Sequence, residues 1–323
     1  MSRVSHRKVA ADEAGLRLDR WFRLHYPALP HARLQKLLRK GEVRVNGKRV
    51  KAAQRLNAGD EVRIPPLPDD MAAQTAKAPP LPKEEALAFL RPLILHEDDH
   101  LLVLNKPAGL PVQGGSKTRQ HLDRHLRAAG GGNWRLAHRL DRDTSGALVV
   151  ARTRAAAAKL GKLFASRAVR KVYWALVHGV PKPPQGKVDM ALIKAMTRDG
   201  ERVRAAHDGE TDAQPAITHY NVVDRAAAVA AWVSLKPVTG RQHQLRAHMA
   251  LIGHPIMGDG KYGGLEELPD GVAARLMLHA RRVGFIHPVS GQRIDVTAPL
   301  PPHMEEAFRF FGFDPSRFDD GIA

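Results

Sequence analysis

Apolar positions near the start of the chain recur at helical spacing. Leu18, Trp21 and Phe22 do so within Leu16-Arg17-Leu18-Asp19-Arg20-Trp21-Phe22, and Leu34, Leu37 and Leu38 repeat the pattern in a segment that Gly41 is placed to stop. Val43, Val45 and Val50 then flank Asn46-Gly47, the strongest two-residue hairpin signal, and Ala58-Gly59-Asp60 turns the chain into Glu61-Val62-Arg63-Ile64. Two helices followed by a small sheet are expected over residues 13–66.

Beyond residue 89 the period changes. Leu101–Leu104, Leu148–Ala151, Val172–Val177 and Ala230–Leu235 predict strands. The run Val172–Val177 is apolar at alternate positions of both sets, which predicts a central strand covered on both faces. Ala155–Ser166, with Leu160, Leu163 and Phe164 as a stripe, and Gln242–Ile252, closed by Gly253, predict helices. Strands and helices mix without a regular βαβ period, so the expected class is α+β, a mixed-sheet domain over 89–315 preceded by the small ααβ unit. Pro65, Pro66, Pro68, Pro79, Pro80 and Pro82 punctuate a stretch with little apolar periodicity, expected to be a linker over 67–88.

Charge changes the picture more than composition does. There are 51 lysines and arginines against 33 aspartates and glutamates, a formal net charge of +18. A surface this basic favours a polyanionic partner, because each phosphate neutralised releases condensed counterions. No cysteine is present, which excludes disulfides, thiolate catalysis and cysteine-ligated zinc. The uncharged stretch Ala226–Leu235 is far too short to span a bilayer, and no apolar segment follows Arg3, Arg7 and Lys8, so no membrane association and a cytoplasmic location are expected. No phosphate-binding glycine motif occurs, and His243, His248 and His254 match no zinc spacing; neither cofactor nor metal is expected.

The chemistry concentrates in His138-Arg139-Leu140-Asp141-Arg142-Asp143-Thr144-Ser145-Gly146, directly before the apolar run Ala147–Ala151. A carboxylate at the mouth of a buried strand is costly unless neighbouring cations and hydroxyls hold it ionised. Asp143, followed by Thr144 and Ser145, has the form of a local turn or cap, which leaves Asp141 as the candidate nucleophile. Two further runs accompany it: Lys171-Val172-Tyr173-Trp174, and Gly240-Arg241-Gln242-His243-Gln244-Leu245-Arg246-Ala247-His248 continued by Gly253-His254-Pro255-Ile256-Met257-Gly258-Asp259 and Tyr262-Gly263.

With Asn105-Lys106-Pro107 upstream and Leu278-His279-Ala280 downstream, these runs strongly resemble the RluA-type pseudouridine synthases over nearly the whole chain. GEVRVN, AGDEVRIPP and EDDHLLVLNKP resemble the RluC-like synthases of large-subunit ribosomal RNA, and the leading unit, with its G-x-V-x-V-N-G hairpin, resembles the S4 RNA-binding domain. Gln242 and Leu245 stand where Thr and Ile are common in that family, both mild departures.

The resemblance implies cofactor-free isomerisation of RNA uridine, probed by Asp141 as catalytic carboxylate, Arg246 as its cation with Arg241 in reserve, and Tyr173 as the ring that stacks on the flipped base. Attack at C1′, attack at C6 and formation of a glycal all remain open. RNA contact is assigned to Arg17, Arg33, Lys36, Arg39, Lys40, Arg44, Lys48 and Arg49 in the first unit, and to His138, Arg139, Arg142, Arg241, His243 and Gln244 in the second. A monomer acting on large-subunit ribosomal RNA is expected. Transfer RNA as substrate, an inactive S4-type assembly protein and a nucleoside glycosidase are the alternatives, the last needing a second acid such as Asp143.

Overall fold

The computed structural model describes residues 4–10, 13–67, 81–114, 120–197, 200–207, 209–265 and 268–318. The chain divides between Pro80 and Leu81 into two units.

The first unit runs β1 (Ser5–Lys8), α1 (Leu18–His25), α2 (His31–Lys40), β2 (Arg44–Val45), β3 (Lys48–Arg49) and β4 (Glu61–Ile64), with sheet order β1-β4-β2-β3. Leu18, Trp21, Phe22, Leu34, Leu38, Val43, Val45, Val62 and Ile64 form its buried core. Gly41 closes α2 at φ 71°, and Asn46 (φ 49°) with Gly47 (φ 76°) makes the left-handed pair that a two-residue hairpin requires. β1 carries no apolar alternation and is exposed throughout, so it was invisible to a pattern reading; its backbone pairs with β4, Ser5 opposite Ile64.

The second unit begins with α3 (Lys83–Leu90), which corrects the end of the expected linker. Pro82 precedes it, Glu84 and Glu85 occupy its first turn, and Ala86 and Leu90, four residues apart, are fully buried. The rest of the expected linker, residues 68–80, lies outside the described residues. There follow β5 (Ile94–Glu97), β6 (Leu101–Lys106), α4 (Leu122–Ala129), β7 (Arg135–Leu136), β8 (Ser145–Ala151), α5 (Arg154–Ala165), β9 (Arg170–His178), β10 (Gln185–Asp189), β11 (Leu192–Thr197), β12 (Gly200–Ala205), β13 (Ile217–Ala226), β14 (Ala230–Pro237), α6 (Gln244–Leu251), β15 (Leu278–Ile286), β16 (Arg293–Thr297) and α7 (Pro302–Phe311).

The large sheet has the order β10-β13-β14-β9-β15-β8-β6-β5, with β16 also on β15 and β7 also on β8. Among the described residues only the β15–β8 pairing is parallel, so the sheet is mixed and the class α+β, as the interspersed pattern implied. Strand alternation explains the apolar runs. Leu102, Leu104, Leu148 and Val150 pack with Leu90, Leu122 and Leu126 of α3 and α4, whereas Leu101, Val103, Ala147 and Val149 pack on the other face with Ala156 and Leu160 of α5. β9 is central, and Trp174 on it packs with Trp232 and Phe308, the two indole rings 4.6 Å apart. Burial of side chains this large stabilises the fold by about 1.5–3 kcal/mol each. Among the described residues no helix is long and apolar enough to cross a membrane.

Candidate active site

The loop between β7 and β8 carries Asp141, and four local features fix it. The Thr144 amide donates to the Asp141 carbonyl at 3.2 Å, and Thr144 and Ser145 are buried. Ser145 Oγ lies 2.8 Å from Nδ1 of the buried His279, whose Nε2 faces the Ala298 carbonyl at 3.2 Å. Gly146 sits at φ 106°, and a Cβ there would lie 2.3 Å from the Ala280 carbonyl oxygen, so β8 can enter beside β15 only with glycine at this point. Finally, Lys106, fully buried, donates from Nζ to the carbonyls of Pro107 (2.9 Å), Leu110 (2.9 Å) and Arg142 (2.8 Å), tying the loop after β6 to the residue following Asp141. Burial pushes the Lys106 ammonium down to about 8, against the pull of Asp143 and Asp141. Asp143 points outward, its side chain 57% exposed beside Arg142, so it is no partner acid for Asp141.

Asp141 lines a cavity of about 740 Å³ whose walls include Arg139, Phe164, Lys171, Tyr173, Arg241, His243 and Arg246. Lys171 and Tyr173, two apart on β9, both line it, as strand alternation dictates. Burial, with the charge of Asp141 added, pushes the Tyr173 hydroxyl well above its ordinary range, so it stays protonated at neutral pH.

α6 is buried along nearly its whole length, from Gln244 to Met249. From it the Arg246 fork grips the fully buried Asp259 through Nε and Nη2, both bonds 2.6 Å, and its plane lies 5.2 Å from the Tyr262 ring. Its third nitrogen, Nη1, is left facing Asp141 Oδ2 at 4.0 Å. Burial opposes the arginine's charge, yet the Asp259 bonds and the Asp141 charge raise it overall. His243 Nε2 approaches the same Oδ2, also at 4.0 Å. The carboxylate therefore has one oxygen flanked by two nitrogens.

Two family models match the chain: RNA pseudouridylate synthase over residues 100–251 and S4 domain over residues 16–62. The ribosomal large subunit pseudouridine synthase C of Salmonella typhimurium (strain LT2) is 42% identical over 301 residues, 90% of this chain and 92% of that protein. The protein of the same name from Escherichia coli (strain K12) is 42% identical over 93% of this chain and 94% of its own length. Among solved structures, Human RNA Pseudouridylate Synthase Domain Containing 4 superposes with a TM-score of 0.60 at 29% identity, covering 71% of this chain and 96% of that one.

The chain belongs to the RNA pseudouridylate synthase family.

Pseudouridine synthesis gives each expected site residue a place to be judged from. Asp141, Tyr173 and Arg246 all line the one cavity, and Arg241, held in reserve, lies at its rim with Nε on the Pro215 carbonyl at 3.1 Å. Arg139 is exposed and also lines the cavity, and Arg142 is exposed with Nε on the Gly109 carbonyl at 3.1 Å.

Three expected RNA contacts line the cavity but have polar atoms engaged inside the protein. Gln244 is buried with its amide wholly used inside the protein: Oε1 accepts from Thr239 Oγ1 (2.7 Å) and the Arg241 amide (3.0 Å), and Nε2 donates to the Ile217 carbonyl (2.9 Å) and Thr218 Oγ1 (3.0 Å). His138 accepts the Val149 amide on Nε2 at 2.9 Å and stacks on Phe164, and burial pushes it down to about 3, so it is a neutral wall of the site. His243 is turned inward to Asp141 and Tyr262, its side chain 10% exposed.

In the first unit, Arg33, Lys36, Arg39 and Lys48 are exposed with no carboxylate within ion-pair distance among the described residues. Arg17 is instead held by both oxygens of Asp19 (3.2 and 2.7 Å), Lys40 lies 3.7 Å from Glu42, Arg44 donates to the Gly41 carbonyl at 3.1 Å, and the exposed Arg49 packs over Gly41. Sequence reasoning missed Lys106, Asp259 and Tyr262 as site residues. All three stand inside runs that carried the family resemblance, but nothing in their spacing says that Asp259 meets Arg246.

Proposed function

We propose that this pseudouridine synthase isomerises uridines of large-subunit ribosomal RNA, with Asp141 as the reacting carboxylate. The observation that carries the reading is the cavity itself: one partly exposed carboxylate, Arg246 Nη1 behind one of its oxygens, and the Tyr173 ring beside it. The net reaction breaks N1–C1′, forms C5–C1′, releases the C5 proton and returns a proton to N1. A carboxylate suits a sugar carbon with oxocarbenium character, and a protonated tyrosine supplies a flat face on which a base taken out of its stack can rest. The substrate class rests on the printed names of the relatives, which are ribosomal large subunit enzymes at 42% identity over nearly the full length. No cofactor enters the net reaction. We further infer action on ribosomal RNA in the cytoplasm, by a monomer.

Tritium release from C5-labelled uridine in a large-subunit transcript tests both halves. Asp141→Asn is expected to abolish release, by more than about a thousandfold, while RNA binding stays within about twofold. Near-normal turnover by that variant would remove Asp141 from the role, and release from transfer RNA transcripts alone would remove the ribosomal substrate.

A further inference from the structure

His243 was expected to touch RNA, yet its ring faces inward, and the strongest unassigned feature of the molecule is the chain of polar contacts that ends on it. The Val203 amide of β12 donates to the Tyr262 hydroxyl oxygen at 3.0 Å. That oxygen thereby has its own proton free for His243 Nδ1, 3.1 Å away. With Nδ1 accepting, the ring proton of a neutral imidazole sits on Nε2, the nitrogen that faces Asp141 Oδ2. Tyr262 is itself fixed, its ring under the Arg246 guanidinium and its amide on Asp259 Oδ1 at 3.2 Å.

The backbone points the same way. His243 has φ 51°, a left-handed conformation that residues other than glycine rarely adopt, directly before α6. The surrounding turn is held by the four bonds of the Gln244 amide, so the structure maintains a strained residue whose effect is to aim the imidazole across the cavity floor. The charged and titratable groups facing it are Asp141, Arg246, Lys261, Asp259 and Tyr262. Burial, the largest influence, lowers its basicity, which keeps it a neutral donor near pH 7.

We propose that His243 is a positioning residue for the reacting carboxylate: its Nε2–H and Arg246 Nη1–H together hold Oδ2 of Asp141 and leave Oδ1 to react. The proposal rests on the reading of Asp141 as that carboxylate. Both nitrogens stand at 4.0 Å, longer than a hydrogen bond, and closing by about 1 Å when the cavity fills makes both bonds.

Two substitutions at one position separate this from a scaffold role. Asn tolerates the left-handed backbone and reproduces the Nδ1 half of the ring without the Nε2–H; Gln reaches farther and returns an N–H near that place. In single-turnover assays at saturating enzyme, His243→Asn is expected to slow isomerisation about 10- to 100-fold, the worth of a hydrogen bond to a charged group. RNA affinity should stay within about twofold, and the acid limb of the rate profile should move to higher pH. His243→Gln should recover most of the rate and return the acid limb towards its normal position. Tyr262→Phe, which keeps the ring but loses the hydroxyl, should lower the rate with the same shift of the acid limb.

A His243→Asn enzyme with the wild-type rate and acid limb would overturn the proposal. So would equal damage by Asn and Gln accompanied by lost RNA binding, because His243 would then be a substrate contact. If His243→Asn does not fold, His243→Gln and Tyr262→Phe decide on the same pH profile. Asp141→Asn is assayed beside them. An active Asp141→Asn sinks the underlying reading, whereas an inactive one next to a fully active His243→Asn sinks only the present inference.

Discussion

Arg33, Lys36 and Arg39 of α2 stand in solvent without an acidic partner among the described residues, while Lys106 and Arg246 of the larger unit have their donors committed to the protein. The two settings ask different things of a positive charge. An exposed cation costs little to fold and gains by releasing counterions from any phosphate it meets, so its contribution is additive and indifferent to sequence. A buried one carries a desolvation cost that only near-complete hydrogen bonding offsets, and what it adds is geometry. Lys106 meets that cost with three carbonyls and so fixes the Asp141 loop; Arg246 meets it with Asp259 and so presents one nitrogen to Asp141. The exposed cations of α2 are thus suited to affinity, and the buried ones of the larger unit to positioning.

The contrast breaks most readily at Arg246. Arg246→Ala leaves the fully buried Asp259 without its fork, a loss of about 3–5 kcal/mol of stability, and should cut isomerisation by about a hundredfold or more. Arg246→Lys should recover part of each, since a point charge cannot make both Asp259 bonds and still face Asp141. Urea melts and single-turnover rates read the two losses; an Ala variant as stable as the parent would mean that the buried pair is not needed.

Lys106→Met comes next. It keeps an apolar stem in a buried slot but leaves three carbonyls without their donor, so about 2–4 kcal/mol of stability and about 10- to 100-fold in rate should go, with RNA affinity nearly unchanged. Lost RNA binding with normal chemistry would place Lys106 with the affinity group instead.

A milder effect follows from the buried imidazoles. Burial holds His138 and His279 down at about 3, below the roughly 6.5 of an unfolded histidine. Between those values the unfolded chain binds more protons, so stability rises with pH through that window and is lost as pH falls towards 3. The urea midpoint should therefore drop between pH 7 and pH 4.5, and His279→Asn should lessen the drop. An equal drop in that variant would assign the acid sensitivity elsewhere.

The smallest effect on the chemistry should come from the exposed set. Changing Arg33, Lys36, Arg39 and Lys48 together to Gln should leave the melting temperature and the saturated single-turnover rate unchanged. The slope of log affinity against log salt should fall by roughly 3, as about four phosphate contacts are lost. An unaltered slope would show that these cations do not meet RNA.

What could be read before any coordinates followed from periodicity and local rules. The helices α1, α2 and α5, the Asn46-Gly47 hairpin and the central strand β9 each announce themselves within a dozen residues. The elements that escaped did so for identifiable reasons. β1 is paired to β4 through its backbone and shows no apolar alternation, and α3 was masked by the prolines around it, although Ala86 and Leu90 show its buried face.

The same division runs through the site. The sequence by itself ranked Asp141 above Asp143 as a candidate, because Asp143-Thr144-Ser145 has the form of local turn chemistry, and family likeness in three separate runs determined which chemistry to expect. Only the tertiary structure decided which side chains face one another. Arg246 and Asp259 lie thirteen residues apart around a helix end, and Ser145 and His279 lie 134 apart across a parallel strand pair. No period or propensity encodes such pairs, since each partner satisfies the other's buried polar groups only after the sheet has brought them together. For the same reason Gln244 and His243, adjacent in one motif, part company: one is spent on four internal bonds, the other is aimed at the carboxylate.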